Sequence, residues 1–127
     1  MSLSLVTGGA GFVGRHLVRL LRARGERVRV LDLSQAETED DIEGSVTDAD
    51  TAKRAADGAD FVFHLAGDAQ LWARDRAVFD RVNRGGTEIM AQAAKRAGVR
   101  RFVHCSSLTT LVGRNTPIGP SYADETK

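Results

Sequence analysis

Glycines at positions 8, 11 and 14 lie between an apolar run, Leu3 to Thr7, and a helically spaced stretch that begins at Phe12. Strand, glycine turn and helix in that order make a cradle for the phosphates of a dinucleotide. The first glycine permits the tight turn. A glycine lets backbone reach the pyrophosphate, and Gly14 lets the helix pack close to the strand. The amides that open the helix at Phe12, Val13 and Gly14 have no acceptor within it, and the helix dipole favours an anion there. The next strand closes on Asp32, 18 residues past Gly14. A carboxylate at that point can accept both ribose hydroxyls of an adenosine and repels a 2′-phosphate, so NAD is expected over NADP. A ligand-free glycine turn would need neither the flanking elements nor the acid.

Two more strand ends carry small or polar residues. Leu65-Ala66-Gly67 reads either as a wall that a cofactor can approach closely or as a plain turn. Ser106 and Ser107 offer hydroxyls that could bond a substrate carbonyl or alcohol. A serine needs a partner group for proton transfer, and a polar strand cap is the other reading. Histidines at 16, 64 and 104 lack metal-site spacing and there is one cysteine, Cys105, so no metal is expected. His64 and His104 read as core or edge residues. Trp72 reads equally as core packing or as lining of a substrate pocket.

The elements that must position these residues alternate strand and helix, which implies a parallel sheet with right-handed crossovers. Strands are expected at Leu3 to Thr7, Arg27 to Leu33, Ile42 to Val46, Asp60 to Leu65 and Arg101 to Ser106. Helices are expected at Phe12 to Arg24, with Val13, Leu17, Leu20 and Leu21 on one face, at Ala49 to Ala56, and at Arg76 to Ala97. Ser34 to Asp41 reads as a polar loop, and the chain from Leu108 onward as irregular. The fold class is α/β, a Rossmann-type doubly wound sheet with strand order 3-2-1-4-5. Its switch point lies between strands one and four, and the glycine turn, Asp32, Leu65 to Gly67 and the serine pair all fall at carboxyl strand ends.

A length of 127 residues suits one domain. With 42% hydrophobic and 28% charged residues the composition is that of a globular protein. A net charge of +1 argues against nucleic acid or an anionic membrane as the partner. The lone cysteine suits a reducing compartment, and no apolar run approaches the roughly 18 residues of a membrane span. A cytoplasmic location and a small-molecule partner are expected.

The motifs resemble those of the extended short-chain dehydrogenase/reductase family. Its members include NAD-dependent sugar epimerases and dehydratases, dihydroflavonol reductases and 3β-hydroxysteroid dehydrogenases. Thr7 to Gly14 is similar to the family's TGxxGxxG signature, and Val62 to Gly67 to its strand-four motif. Val82-Asn83-Arg84-Gly85-Gly86-Thr87 is similar to its N-x-x-G-T motif, and Phe102 to Ser107 to the strand that carries the active-site serine. Asp68 to Trp72 and Ala123 to Thr126 look most like the dihydroflavonol-reductase-like branch. The resemblance implies NAD contacts at Gly8, Gly11, Phe12, Val13, Gly14, Asp32, Ser45, Val46, Leu65, Ala66, Gly67 and Asn83. It implies a catalytic role for Ser107, and hydride transfer at a secondary alcohol or ketone carbon of a nucleotide sugar or similar molecule.

Two departures stand out. Gly44-Ser45-Val46-Thr47-Asp48 places Ser45 where the family carries an acid that contacts the adenine amine. The family's Tyr-x-x-x-Lys pair is not found, because the one tyrosine, Tyr122, stands five residues before Lys127. The chain is therefore expected to be the N-terminal part of a longer protein, residues 1–127 forming its NAD(P)-binding domain and ending before the catalytic helix and substrate domain. By itself it is expected to be inactive. A non-catalytic dinucleotide-binding or regulatory module is the other reading. A fifth strand at the sheet edge and apolar residues on the last helix (Ile89, Met90, Ala93, Ala94 and Ala97) lead us to expect a homo-oligomer.

Overall fold

The structure is a computed structural model that describes residues 2–70, 72–107 and 110. Tyr122, Lys127 and the Ala123 to Thr126 segment lie outside the described residues. Strand β1 (Leu3–Thr7) is buried along its whole length, as a central strand must be. It is followed by α1 (Phe12–Ala23), β2 (Arg27–Asp32), the two-residue β3 (Ile42–Glu43), α2 (Ala49–Ala56) and β4 (Phe61–His64). A helical stretch then runs through α3 (Ala77–Phe79), a π-helical segment (Asp80–Gly85) and α4 (Gly86–Arg96) before β5 (Arg101–His104). All strand pairs are parallel and the order is β3-β2-β1-β4-β5, as the sequence leads one to expect. Thr7 pairs with Leu31 on one side and His64 on the other, and His64 pairs with His104. The carboxyl ends of four strands are thereby brought level.

Two cores flank the sheet. Leu5, Leu31 and Val62 pack with Ala52, Ala55 and Ala56 of α2 and Met90, Ala93 and Ala94 of α4. On the other face Val6 and Val28 pack with Val18 and Leu21 of α1. Asp48 caps α2 by accepting the N–H groups of Asp50 and Thr51 at 3.0 and 3.4 Å. The Arg29 guanidinium closes the other end of α2 by donating to the carbonyls of Ala55 and Asp57, each at 2.7 Å.

Several expectations are corrected. The buried stripe of α1 is Gly14, Val18 and Leu21, while Val13 and Leu20 are exposed. Of the expected face Leu21 is buried and Leu17 packs on the same core, while Gly14 faces the glycine turn, a contact that a count of apolar side chains does not register. Strand three stops at Glu43 instead of Val46. There the Ser45 hydroxyl accepts the Thr47 N–H at 3.1 Å and draws the chain into a turn. Strands two, four and five are also shorter than expected. Met90, Ala93 and Ala94 do not present an open apolar face, because α2 and the sheet bury them. Trp72 is 75% exposed and takes no part in the core of the described residues.

Candidate functional site

Gly8 leaves β1 with φ +68°, a conformation that favours glycine. A Cβ there would also lie 2.9 Å from the Ala66 nitrogen, so the turn rests directly on the end of β4. The Gly11 N–H donates to the Gly8 carbonyl at 3.0 Å and closes the turn. A Cβ on Gly14 would strike the Gly8 carbonyl oxygen and lie 2.8 Å from the Gly9 Cα. The close approach at Gly14 is thus to the turn itself. Helix α1 opens with no side-chain cap and no acid in its first turn. Its leading amides, at Phe12, Val13 and Gly14, are left for an anion. The cradle fits a pyrophosphate, since neither a capping side chain nor an acid competes for these amides.

A cleft of about 610 Å³ runs over the strand ends, a size typical of small-ligand sites. It brings together Gly8, Gly11, Asp32, Ser45, Val46, Ala66 and Gly67. Asp32 is half-buried at the end of β2. One carboxylate oxygen accepts the Ala10 N–H at 3.1 Å and the other accepts the Ser34 N–H at 2.9 Å. Those bonds fix its orientation while each oxygen keeps a lone pair for a ligand hydroxyl.

The remaining expected site residues are placed differently. Phe12 and Val13 are exposed at the start of α1, with the Arg15 guanidinium 5.4 Å over the Phe12 ring. The Leu65 side chain packs on the α1 core, away from the cleft. Ser45 bonds Thr47, hydroxyl to hydroxyl, at 2.7 Å. Asn83 does not line the cleft but clamps its wall. Its Oδ1 accepts the Asp68 N–H at 2.7 Å and its Nδ2 donates to the Asp68 carbonyl at 3.0 Å. Ser107 is exposed just past β5 and its carbonyl accepts the Thr110 N–H at 3.1 Å.

A second layer lies beneath the cleft, built from one residue of each of three motifs: Thr7 of the glycine signature, His64 of the strand-four motif and Thr87 of the N-x-x-G-T motif. His64 is buried, with Nδ1 2.7 Å from the Thr7 hydroxyl and Nε2 3.0 Å from the Thr87 hydroxyl. Burial holds its pKa down at about 4, with a smaller push from His104, so the ring is neutral at physiological pH. The strand register sets Thr7 beside His64. Leu33, Gly44, Asp68, Gln70, Val78 and Val82 also line the cleft, beyond the residues expected from the motifs. Among the described residues no helix is long and apolar enough to cross a membrane.

Comparison with known proteins follows the same lines. The model of the NAD dependent epimerase/dehydratase family matches residues 4–127. The 3 beta-hydroxysteroid dehydrogenase/Delta 5-->4-isomerase of Mycobacterium tuberculosis is 42% identical over 96% of this chain, which spans 35% of that protein. A short-chain dehydrogenase/reductase superfamily protein from Agrobacterium tumefaciens, solved with bound NAD, superposes with a TM-score of 0.78 at 35% identity. That match covers 94% of this chain and 40% of the other. UDP-glucose 4-epimerase of Thermus thermophilus in complex with NAD gives a TM-score of 0.68 at 30% identity, covering 79% of this chain and 36% of that one.

Proposed function

The chain belongs to the NAD dependent epimerase/dehydratase family, and we propose that it is the NAD-holding part of a longer oxidoreductase or epimerase. The observation that carries this is the pairing of an uncapped helix start with the oriented Asp32 carboxylate across one cleft. The first-turn amides of α1 hold the pyrophosphate. Asp32 accepts the adenosine ribose hydroxyls and disfavours a 2′-phosphate. Ser45 and Val46 border the adenine end, and the Ala66–Gly67 backbone, braced by Asn83, forms the wall along which the cofactor lies. NAD, when bound there, would supply the hydride acceptor or donor. Ser107 hydrogen-bonds the reacting oxygen of a secondary alcohol or ketone. Proton transfer falls to a Tyr-x-x-x-Lys pair that we place beyond Lys127.

The substrate is a small molecule, either a nucleotide sugar or a more apolar secondary alcohol. We place the protein in the cytoplasm, and we propose that it self-associates. Sequencing beyond Lys127 and assaying the whole protein with NAD against both alcohol classes tests the reading. A continuing frame without the Tyr-x-x-x-Lys pair would defeat it. A non-catalytic dinucleotide-binding module is the second reading. Turnover at enzyme-like rates by this chain alone would rule it out.

A further inference from the structure

We propose that His64 is a positioning residue. Fixed as the neutral Nε2–H tautomer, it ties the glycine cradle to the Asn83 clamp, so that both walls of the cleft are set as one unit. The inference rests on reading the cleft as the NAD site.

The tautomer follows from counting donors at both ends. The Thr7 hydroxyl oxygen accepts the N–H groups of Leu65 and Ala66, each at 3.1 Å. The Leu65 N–H is shared with the Thr7 carbonyl at 3.2 Å, and with two N–H groups turned on its oxygen the hydroxyl is set to donate its hydrogen. The acceptor is His64 Nδ1 at 2.7 Å, which must be unprotonated. At the other end the Thr87 hydroxyl donates to the Asn83 carbonyl at 2.6 Å. It therefore accepts from His64, and Nε2 at 3.0 Å must carry the hydrogen. No buried side-chain nitrogen or oxygen among the described residues lacks a partner. The arrangement has one proton pattern that satisfies every group.

The placement of the chain of bonds has a consequence. It begins at the Ala66 N–H, against which Gly8 rests. It ends on the Asn83 carbonyl in the π-helical segment, whose side chain grips Asp68. Residues 65–68 are thus held from below through Thr7 and from the side through Asn83, with His64 joining the two. An irregular helical turn at this point is the kind of local departure that sites use to aim a residue. His104 on β5, its ring stacked 5.7 Å from that of His64, is the titratable group that acts on it.

Nitrogen-15 NMR of labelled histidine reads the tautomer directly in the wild-type protein. An Nε2–H imidazole that does not titrate between about pH 5.5 and 8 is expected. An Nδ1–H imidazole, or titration near the ordinary histidine value, would overturn the proposal. Thr87→Val and Thr87→Ser then test the coupling. Loss of one buried hydrogen bond from the chain should weaken NAD binding about five- to tenfold in Thr87→Val, and Thr87→Ser should restore it. A Thr87→Val protein that melts earlier but binds NAD as tightly as wild type would show a merely structural role and defeat the proposal. Wild type that binds no NAD at all would overturn the cofactor reading alone, and the tautomer would still decide the hydrogen-bond chain.

Discussion

Replacing Gly14 with alanine should unsettle the cradle, although alanine is the better helix former. In an open helix position the exchange stabilises by about 1 kcal/mol. Here the added Cβ strikes the Gly8 carbonyl oxygen and reaches within 2.8 Å of the Gly9 Cα. Both are backbone, so no rotamer relieves the overlap. Overpacking costs about 1–3 kcal/mol, and shifting the Gly8 carbonyl also strains its 3.0 Å bond from the Gly11 N–H, worth about 1 kcal/mol. The net effect is a loss of about 2 kcal/mol, or about 8 °C in melting temperature for a chain of this length. Gly85→Ala is the matched control. Gly85 has φ −62°, and its nearest neighbour to an added Cβ is the Asp80 carbonyl oxygen at 3.8 Å. That variant should melt a few degrees above wild type. Thermal unfolding followed by circular dichroism, with NAD titration of each variant, makes the comparison. Because Gly14→Ala displaces the amides that hold the pyrophosphate, its affinity for NAD should drop at least tenfold. A Gly14→Ala protein as stable as Gly85→Ala, with unchanged NAD affinity, would refute the reasoning.

Asp32→Asn should narrow the preference for NAD over NADP by about tenfold, as removing one partly solvated charge near a 2′-phosphate is worth ~1–4 kcal/mol, and parallel calorimetric titrations read the ratio. Stability should fall as pH drops from about 6.5 to about 4, because the unfolded chain takes up a proton on His64 that the folded protein refuses, and this group adds no further slope below that window. The contribution is at most roughly 3 kcal/mol, and urea melts at pH 7 and 5 should differ less in His64→Gln than in wild type. Light scattering across a dilution series should show association at high concentration, and a monomer throughout that binds no hydrophobic dye would reject self-association.

Much of the site is legible in the chain because it depends on local order. The run from Leu3 to Gly14 places strand, turn and helix within a dozen residues, and Asp32 follows on the next strand. The sheet order follows from the alternation of elements and the handedness of their crossovers. What stays hidden depends on distance. Thr7, His64 and Thr87 each lie in a motif, but they meet across 57 and 23 residues, and the motifs do not say that the three side chains bond one another. The π-helical shift at Asp80–Gly85 changes the bonding ladder without changing the apolar spacing, so the stretch reads as plain helix. Part of the buried face of α1 escapes a hydrophobic pattern because Gly14, which sets the approach to the turn, adds nothing to it.

Calorimetric titration with NAD, and with NADP alongside it, tests the central claim most directly. A single NAD site is expected, with NADP weaker, and with Asp32→Asn shifting the ratio while Gly14→Ala weakens both cofactors. No heat of binding from NAD to the folded protein, or tighter binding of NADP, would contradict the assignment of the cleft over β1 and β4.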